Sequence, residues 1–266
     1  MKDIIVVRGG GDIATGTIHR LHRSGYPVLV LETANPSAIR RKVAFCEAVF
    51  DGRAFIEGVS CQRAENMVEA RRLMQAGQVA LLVDEKAATL DAFKPKVLVD
   101  AILAKKNLGT QRSMADFTVA LGPGFYAGQD VDCVIETMRG HQLGRLIYQG
   151  MALPNTGVPG LIQGIGKERV LHAAVSGTIK NCSEISDFVE AGQVIARIGA
   201  HPVKASLSGI LRGIIRDGYP VEKGLKIADI DPRASEKDNC FTISDKARCI
   251  AGGVLEAVLA QESGRI

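Results

Sequence analysis

The stretch Ile4-Ile5-Val6-Val7-Arg8-Gly9-Gly10-Gly11-Asp12-Ile13-Ala14-Thr15-Gly16 decides the fold of the amino-terminal half, because an apolar run passes directly into a glycine cluster and then into a helical pattern. Read as G-x-G-x-x-G/A, Gly9 makes the tight turn, Gly11 lets backbone approach a pyrophosphate, and Ala14 sits close against the strand. The start of the helix offers free N–H groups and a positive dipole end to an anion. About twenty residues on, Val28-Leu29-Val30-Leu31 ends in Glu32, where a carboxylate can accept from a ribose hydroxyl. A glycine turn of this kind also occurs in doubly wound domains that bind no dinucleotide. Asp12 in the first turn repels a phosphate unless it caps the helix or faces away.

Outward from this turn, apolar runs alternate with charged helical stretches, the signature of βαβ units on a parallel sheet. Strands are predicted at Ile4 to Val7, Val28 to Leu31, Val79 to Val83, Val97 to Val99 and Thr118 to Leu121. A first helix starts near Asp12 and stops at Ser24-Gly25, and a second covers Glu65 to Gln75. In a parallel sheet the residues after each run share one edge: Arg8 to Asp12, Glu32, Asp84-Glu85, Asp100, and Gly122-Pro123-Gly124. Open α/β sheets bind ligands at that edge.

Two alternating runs, Val131 to Thr137 and Leu143 to Tyr148, flank a glycine turn and predict an antiparallel hairpin. Residues 150–166 are rich in breakers, including Pro154-Asn155-Thr156-Gly157-Val158-Pro159-Gly160, and form a linker or lid. Beyond them lies a gapless 32-residue repeat. Residues 173–180, AAVSGTIK, match 205–212, ASLSGILR, and residues 189–196, VEAGQVIA, match 221–228, VEKGLKIA. Two such β units cannot each bury an apolar face alone and together close a small two-fold sandwich. The repeat resembles the barrel-sandwich hybrid of biotinyl and lipoyl carrier domains. It departs from them at Gly199-Ala200-His201-Pro202-Val203-Lys204, where no Met-Lys-Met tip stands, so a covalent swinging arm is not expected.

The tail opens on Ser244 as a cap, and Ala247, Ile250, Ala251, Val254, Leu255, Val258 and Leu259 recur at helical spacing. Gly252-Gly253 inside it costs about 1 kcal/mol per glycine relative to alanine, which close packing, back on the first domain, would justify. The organisation expected is therefore an α/β, Rossmann-like parallel-sheet domain over residues 1–166, a small all-β barrel-sandwich hybrid over 167–233, and a C-terminal helix over 234–266.

Composition narrows the function classes. The 266 residues are 46% hydrophobic and 23% charged, the balance of an ordinary globular protein, with no apolar run of the ~20 residues that a membrane helix needs. Net charge is +4, and the basic groups at 40–42, 71–72 and 105–106 lack interleaved aromatics, so neither nucleic acid nor membrane is an expected partner. Met1-Lys2-Asp3 has no signal-peptide layout, and a cytoplasmic location is expected. Cys46, Cys61, Cys133, Cys182, Cys240 and Cys249 form no C-x-x-C and no zinc spacing, so buried reduced thiols and no structural metal are expected; Cys240 and Cys249 stay open as sulfur-handling or redox groups.

Five segments taken together, 8–16, 39–45 (IRRKVAF), 121–125 (LGPGF), 135–141 (IETMRGH) and 154–157 (PNTG), resemble the YqeB-type accessory proteins of selenium-dependent molybdenum hydroxylases over nearly the whole chain. The first domain resembles more loosely the Rossmann domain of the factors that mature xanthine dehydrogenase. The resemblance implies a part in preparing or inserting the molybdenum cofactor of a partner hydroxylase. It brings no agreed catalytic residues.

Three readings follow. In the first, a nucleotide or phosphorylated pterin binds at the sheet edge, against a phosphate-side wall of Arg8, Gly9, Gly10, Gly11, Asp12 and Thr15. Glu32 meets a sugar or pterin polar edge, Asp84 and Asp100 complete the rim, Gly122 and Gly124 give a second backbone approach, and Arg40, Arg41 and Arg139 are mobile cations for anionic groups. In the second, the chain is an NAD(P)-dependent oxidoreductase, for which no Tyr-x-x-x-Lys or His-Asp arrangement stands out; His19 and His22 read as solvent-facing rather than as a metal pair. In the third, it is a non-enzymatic scaffold or sensor. The ligand is then NAD(P) or a molybdopterin-type compound, the partner a molybdenum hydroxylase, and self-association into a homo-oligomer is left open.

Overall fold

The computed structural model describes residues 3–157, 160 and 162–266. Positions 158, 159 and 161 of the breaker-rich linker lie outside these. The chain divides into two compact units, both discontinuous: Met1–Pro36, Ala44–Asn155 and Ile243–Ile266 make the first, and Ser37–Val43 with Thr156–Thr242 make the second.

The first unit is a mixed α/β structure. Its elements in chain order are β1 (Ile5–Arg8), α1 (Asp12–Arg23), β2 (Val28–Glu32), α2 (Ala48–Asp51), β3 (Arg53–Ile56), β4 (Val59–Arg63), α3 (Met67–Gln75), β5 (Val79–Val83), β6 (Val97–Asp100), β7 (Phe117–Leu121), β8 (Cys133–Ile135), β9 (Leu146–Ile147) and, at the end of the chain, α4 (Asp245–Glu262). Among the described residues the nine strands form one sheet in the order β3-β4-β5-β2-β1-β6-β7-β8-β9. From β4 to β8 every neighbouring pair is parallel. Only the edge pairs β3–β4 and β8–β9 are antiparallel. The strands predicted from 4, 28, 79, 97 and 118 are all present within a residue of their expected limits. The order runs outward from β1 in both directions, so β1 and β6 flank the point where it reverses. Continuous apolar strands such as Val79–Leu82 are buried on both faces, as a helix-covered parallel sheet requires.

Two local details differ from the sequence pattern. The second predicted helix begins at Met67 rather than Glu65, because the Asn66 side chain accepts from Glu69 N at 3.0 Å and caps it. The β3–β4 hairpin has no counterpart in the sequence pattern. Its two-residue turn is Glu57-Gly58, both at positive φ (46° and 81°), and Glu57 is not a residue usually associated with that conformation.

Helix α4 packs on α1 within this unit. Ser244 accepts from Ala247 N at its start, and Gly253 reaches the Gly144 carbonyl, which a Cβ at 253 would strike, whereas one at 252 would meet nothing. Thus only one glycine of the pair is needed for close approach. No helix among the described residues is long and apolar enough to cross a membrane.

The second unit holds β10 (Val170–His172), β11 (Gly177–Asn181), β12 (Phe188–Val189), β13 (Val194–Ile198), β14 (His201–Lys204), β15 (Gly209–Ile214), β16 (Pro220–Val221) and β17 (Lys226–Asp231). Strands β15, β16 and β17 begin 32 residues after β11, β12 and β13, in step with the repeat. Among the described residues two antiparallel four-stranded sheets result, β10-β17-β15-β12 and β14-β13-β11-β16. Each repeat contributes its short middle strand to the other: β12 pairs with β15, and β16 pairs with β11. Ile179, Ile195, Leu211, Ile227 and Ile230 fill the core that the exchange encloses.

Candidate site at the carboxyl edge of the parallel sheet

The turn after β1 is held from three sides. Gly9 takes a φ of +95°, open to glycine at little cost, and donates to Leu31 O at 2.8 Å; a Cβ there would lie 3.0 Å from Ala101 O. Gly10 accepts from Cys46 N at 2.9 Å, and its own Cβ would lie 2.9 Å from that nitrogen. Gly11 differs, because a Cβ there would meet nothing within 4 Å. It is the N-cap of α1, and it has no side chain to satisfy the first amides of the helix. The turn therefore contacts protein at its first two glycines and open space at its third.

The acidic and basic side chains of the rim largely hold one another. Glu32 Oε2 accepts from Gly10 N at 2.7 Å and Oε1 from Thr33 N at 2.8 Å. Burial raises its pKa, with Glu85 adding to the effect and the two amides opposing it. Arg8 is buried and donates to Thr110 Oγ1 at 2.6 Å and to Glu85 O at 3.0 Å; Thr110 in turn donates to Asp100 Oδ2 at 2.6 Å. The guanidinium and the Asp100 carboxylate are themselves 3.9 Å apart. Burial also raises Asp100, against Thr110, the Ile102 amide and Arg8. This network ties the ends of β1 and β6 to the loop that carries Thr110.

Thr15 is fully buried, donating to Gly10 O at 3.2 Å and accepting from Phe45 N at 2.9 Å, so it fixes the turn from beneath. Asp84 accepts from Ala88 N and Thr89 N at 2.9 and 2.7 Å. Those bonds and Arg8 hold it below the usual carboxylate range although burial pulls the other way. A Cβ at Gly122 would meet Thr137, and one at Gly124 would meet the Lys106 amide at 2.6 Å, so both glycines serve close packing of loops. Arg139 makes a two-point pair with Asp245 at 2.7 and 3.1 Å. Arg40 belongs to the second unit, where it donates to Asn239 O and Thr242 O, and Arg41 donates there to Ile214 O.

Two residues at this edge were not singled out from sequence. Glu136, just past β8, is buried and accepts from Thr137 N, Met138 N and Leu153 N at 2.7, 2.7 and 2.8 Å. Its position after an apolar run was the available signal. Lys246 of α4 comes from the far end of the chain. Its pKa is lowered by burial first and by Arg139 next, while Asp12, Glu136 and Asp245 act in the opposite direction. It thus sits in the field of Asp12, supplying positive charge near the helix start that Asp12 alone would make repulsive. No local pattern announces a lysine 234 positions away in sequence.

The cysteines are free, with Cys46, Cys61, Cys133 and Cys240 buried and Cys182 and Cys249 exposed. Burial pushes Cys133 up to about 12, and Cys46 and Cys240 upward as well, which makes them poor thiolates at neutral pH.

Fold and site together define an α/β protein: a largely parallel sheet whose first strand feeds a glycine turn and a helix start without a side-chain cap. Over 257 residues, 96% of this chain, the sequence is 50% identical to the uncharacterized protein YqeB of Escherichia coli (strain K12), and the chain spans about half (47%) of that relative's length. No protein-family model matches. Among solved structures, the ectoine utilization protein EutE (DoeB) from Ruegeria pomeroyi aligns with TM-scores of 0.23 in its product-bound form (13% identity, 86% of this chain, 58% of that one) and 0.26 in its apo form (9%, 85% and 85%). A succinylglutamate desuccinylase from Silicibacter sp. TM1040 aligns at 0.25 (13%, 86% and 84%). Scores this low carry no argument about fold or chemistry.

Proposed function

We propose that this chain is an accessory protein for maturation or insertion of the molybdenum cofactor of selenium-dependent molybdenum hydroxylases, acting through a nucleotide or phosphorylated pterin held at the carboxyl edge of a Rossmann-like first unit. The process rests on the resemblance of the motif set at 8–16, 39–45, 121–125, 135–141 and 154–157 to YqeB-type accessory proteins; the helix start supports the ligand class. The second unit is read as a barrel-sandwich hybrid that docks on the partner hydroxylase.

One observation carries the ligand reading: Gly11 faces open space at the N-terminus of α1, where no side chain caps the helix. Amides there donate to phosphate oxygens, and the dipole contributes roughly half a positive charge. Lys246 offsets Asp12. Glu32, with an oxygen on Gly10 N, fixes the turn and keeps further acceptor capacity for a hydroxyl or ring N–H of the ligand. The Arg8–Thr110–Asp100 network holds the floor still.

Pull-down of a selenium-dependent molybdenum hydroxylase with this protein, followed by analysis of small molecules that co-purify, tests the reading. A molybdopterin species or a nucleotide retained with the complex is expected. Capture of no hydroxylase, with hydride turnover on titration with NADH, would replace the reading with an oxidoreductase.

A further inference from the structure

We infer that the first unit carries a second anion site, in the groove between α1 and α4, built to take a diphosphate or a comparable phosphorylated group. It goes beyond the site at Gly11 and lies toward the opposite end of the same helix. The groove encloses about 270 Å³, room for roughly nine waters at ~30 Å³ each. Gly16, His19, Arg20 and Arg23 line it from α1 at i, i+3, i+4 and i+7, one continuous stripe, and Arg248 and Leu255 face it from α4.

Three guanidinium groups and an imidazole line this groove, and one of them, Arg248, pairs with a carboxylate. Glu57, at the tip of the β3–β4 hairpin, pairs with Arg248 Nη2 at 2.6 Å and also accepts from Ile243 N at 2.7 Å. His19 Nε2 lies 3.1 Å from Glu57 O. The guanidinium groups of Arg20 and Arg23 make no hydrogen bond or ion pair among the described residues. Like charges three apart on a helix repel, so the stripe is costly unless an anion joins it.

The helix dipole explains part of the pattern, since cations favour the last turn of α1. It does not explain Arg248, which sits in the first turn of α4, where a cation opposes the dipole. Nor do the carbonyls at the end of α1 call for side chains, because Ser24 N, Gly25 N and Tyr26 N already bond to Arg20 O, Leu21 O and His22 O. A ligand with oxygens on two phosphorus atoms would reach Arg20 and Arg23 together and draw on Arg248 at the other wall.

The test is calorimetric titration of the full chain with inorganic pyrophosphate and with adenosine diphosphate. Equal affinities identify the inorganic anion, and tighter adenosine diphosphate binding identifies a metabolite; either supports the site. Charge-assisted contacts predict at least about a tenfold loss in the Arg20→Gln/Arg23→Gln double variant. Glu57→Gln, which keeps an acceptor for Ile243 N and releases Arg248, is expected to bind more tightly. Arg71→Gln, on the exposed face of α3, controls for net charge. Circular dichroism melts verify folding of each, and amide spectra of 19–24 and 248 report the site in the parent chain even if a variant unfolds. Unchanged affinity in the double variant, an equal loss in Arg71→Gln, or no spectral change at 19–24 would overturn the inference.

Discussion

The sheet edge of the first unit and the strand repeat of the second use similar residues for opposite ends. In the second unit a position in one repeat does the same job 32 residues later: β11 and β15 both receive a short strand from the other half, and Ile179 and Leu211 are buried alike. At the sheet edge, three successive glycines do three different jobs, and residues expected to face a ligand mostly face one another. Local pattern sets the first arrangement. Tertiary partners set the second, which is why identical residue types there cannot be read from sequence by type alone.

The comparison breaks most easily at its buried ion pairs, one in each unit. Arg8 and Asp100 communicate through Thr110, whereas Arg169 donates directly to Asp229 Oδ1 at 2.8 Å, with all four residues buried. Removing either carboxylate strands a buried guanidinium, so Asp100→Ala and Asp229→Ala should each cost about 3–5 kcal/mol in urea unfolding. If the edge network is a ligand wall rather than a structural tie, Asp100→Ala will cost far less than Asp229→Ala.

A smaller effect separates adjacent glycines of α4. Gly253→Ala forces a methyl against the Gly144 carbonyl and should destabilise by about 1–3 kcal/mol. Gly252→Ala meets open space and should stabilise by up to about 1 kcal/mol. Thermal melts of the two variants are expected to shift in opposite directions, and a shift of the same sign would refute the packing of Gly253 on Gly144.

The smallest effect is a pH slope. Burial raises Glu32 above its unfolded value, so the folded state holds the proton more tightly, and this group favours folding progressively as pH falls through its raised range toward the ordinary carboxylate range. Glu32→Gln removes that contribution. The parent should therefore gain stability relative to the variant between neutral pH and about pH 4.3, measured as the difference in urea midpoints; a difference that shrinks on acidification would mean that the bonds from Gly10 N and Thr33 N outweigh burial.

Much of the fold was legible because its signals are local. Val79–Leu82 reads as a buried strand from its apolar run, Ser24-Gly25 stops a helix, and the 32-residue period runs without a gap. The carboxyl edge is legible as a place in the fold, and the contacts its side chains make there are not. Glu32 stands where the glycine motif puts it, but whether its carboxylate meets a ligand or Gly10 N depends on a 2.7 Å contact that no pattern encodes. Arg40 reads as a mobile cation for an anionic group at the sheet edge, while its guanidinium is bonded to carbonyls about two hundred residues on, within the second unit. Lys246 enters through helix packing alone.

Amide chemical shifts during titration with a molybdopterin or nucleotide ligand show whether Gly11 and the first amides of α1 receive a phosphorylated group. The largest changes are expected at Gly11, Asp12 and Ile13, and they weaken in Gly11→Val, a substitution that also lowers the melting temperature by weakening the helix cap, with retention of fold verified by circular dichroism. Saturable binding that leaves these amides unmoved would contradict that placement.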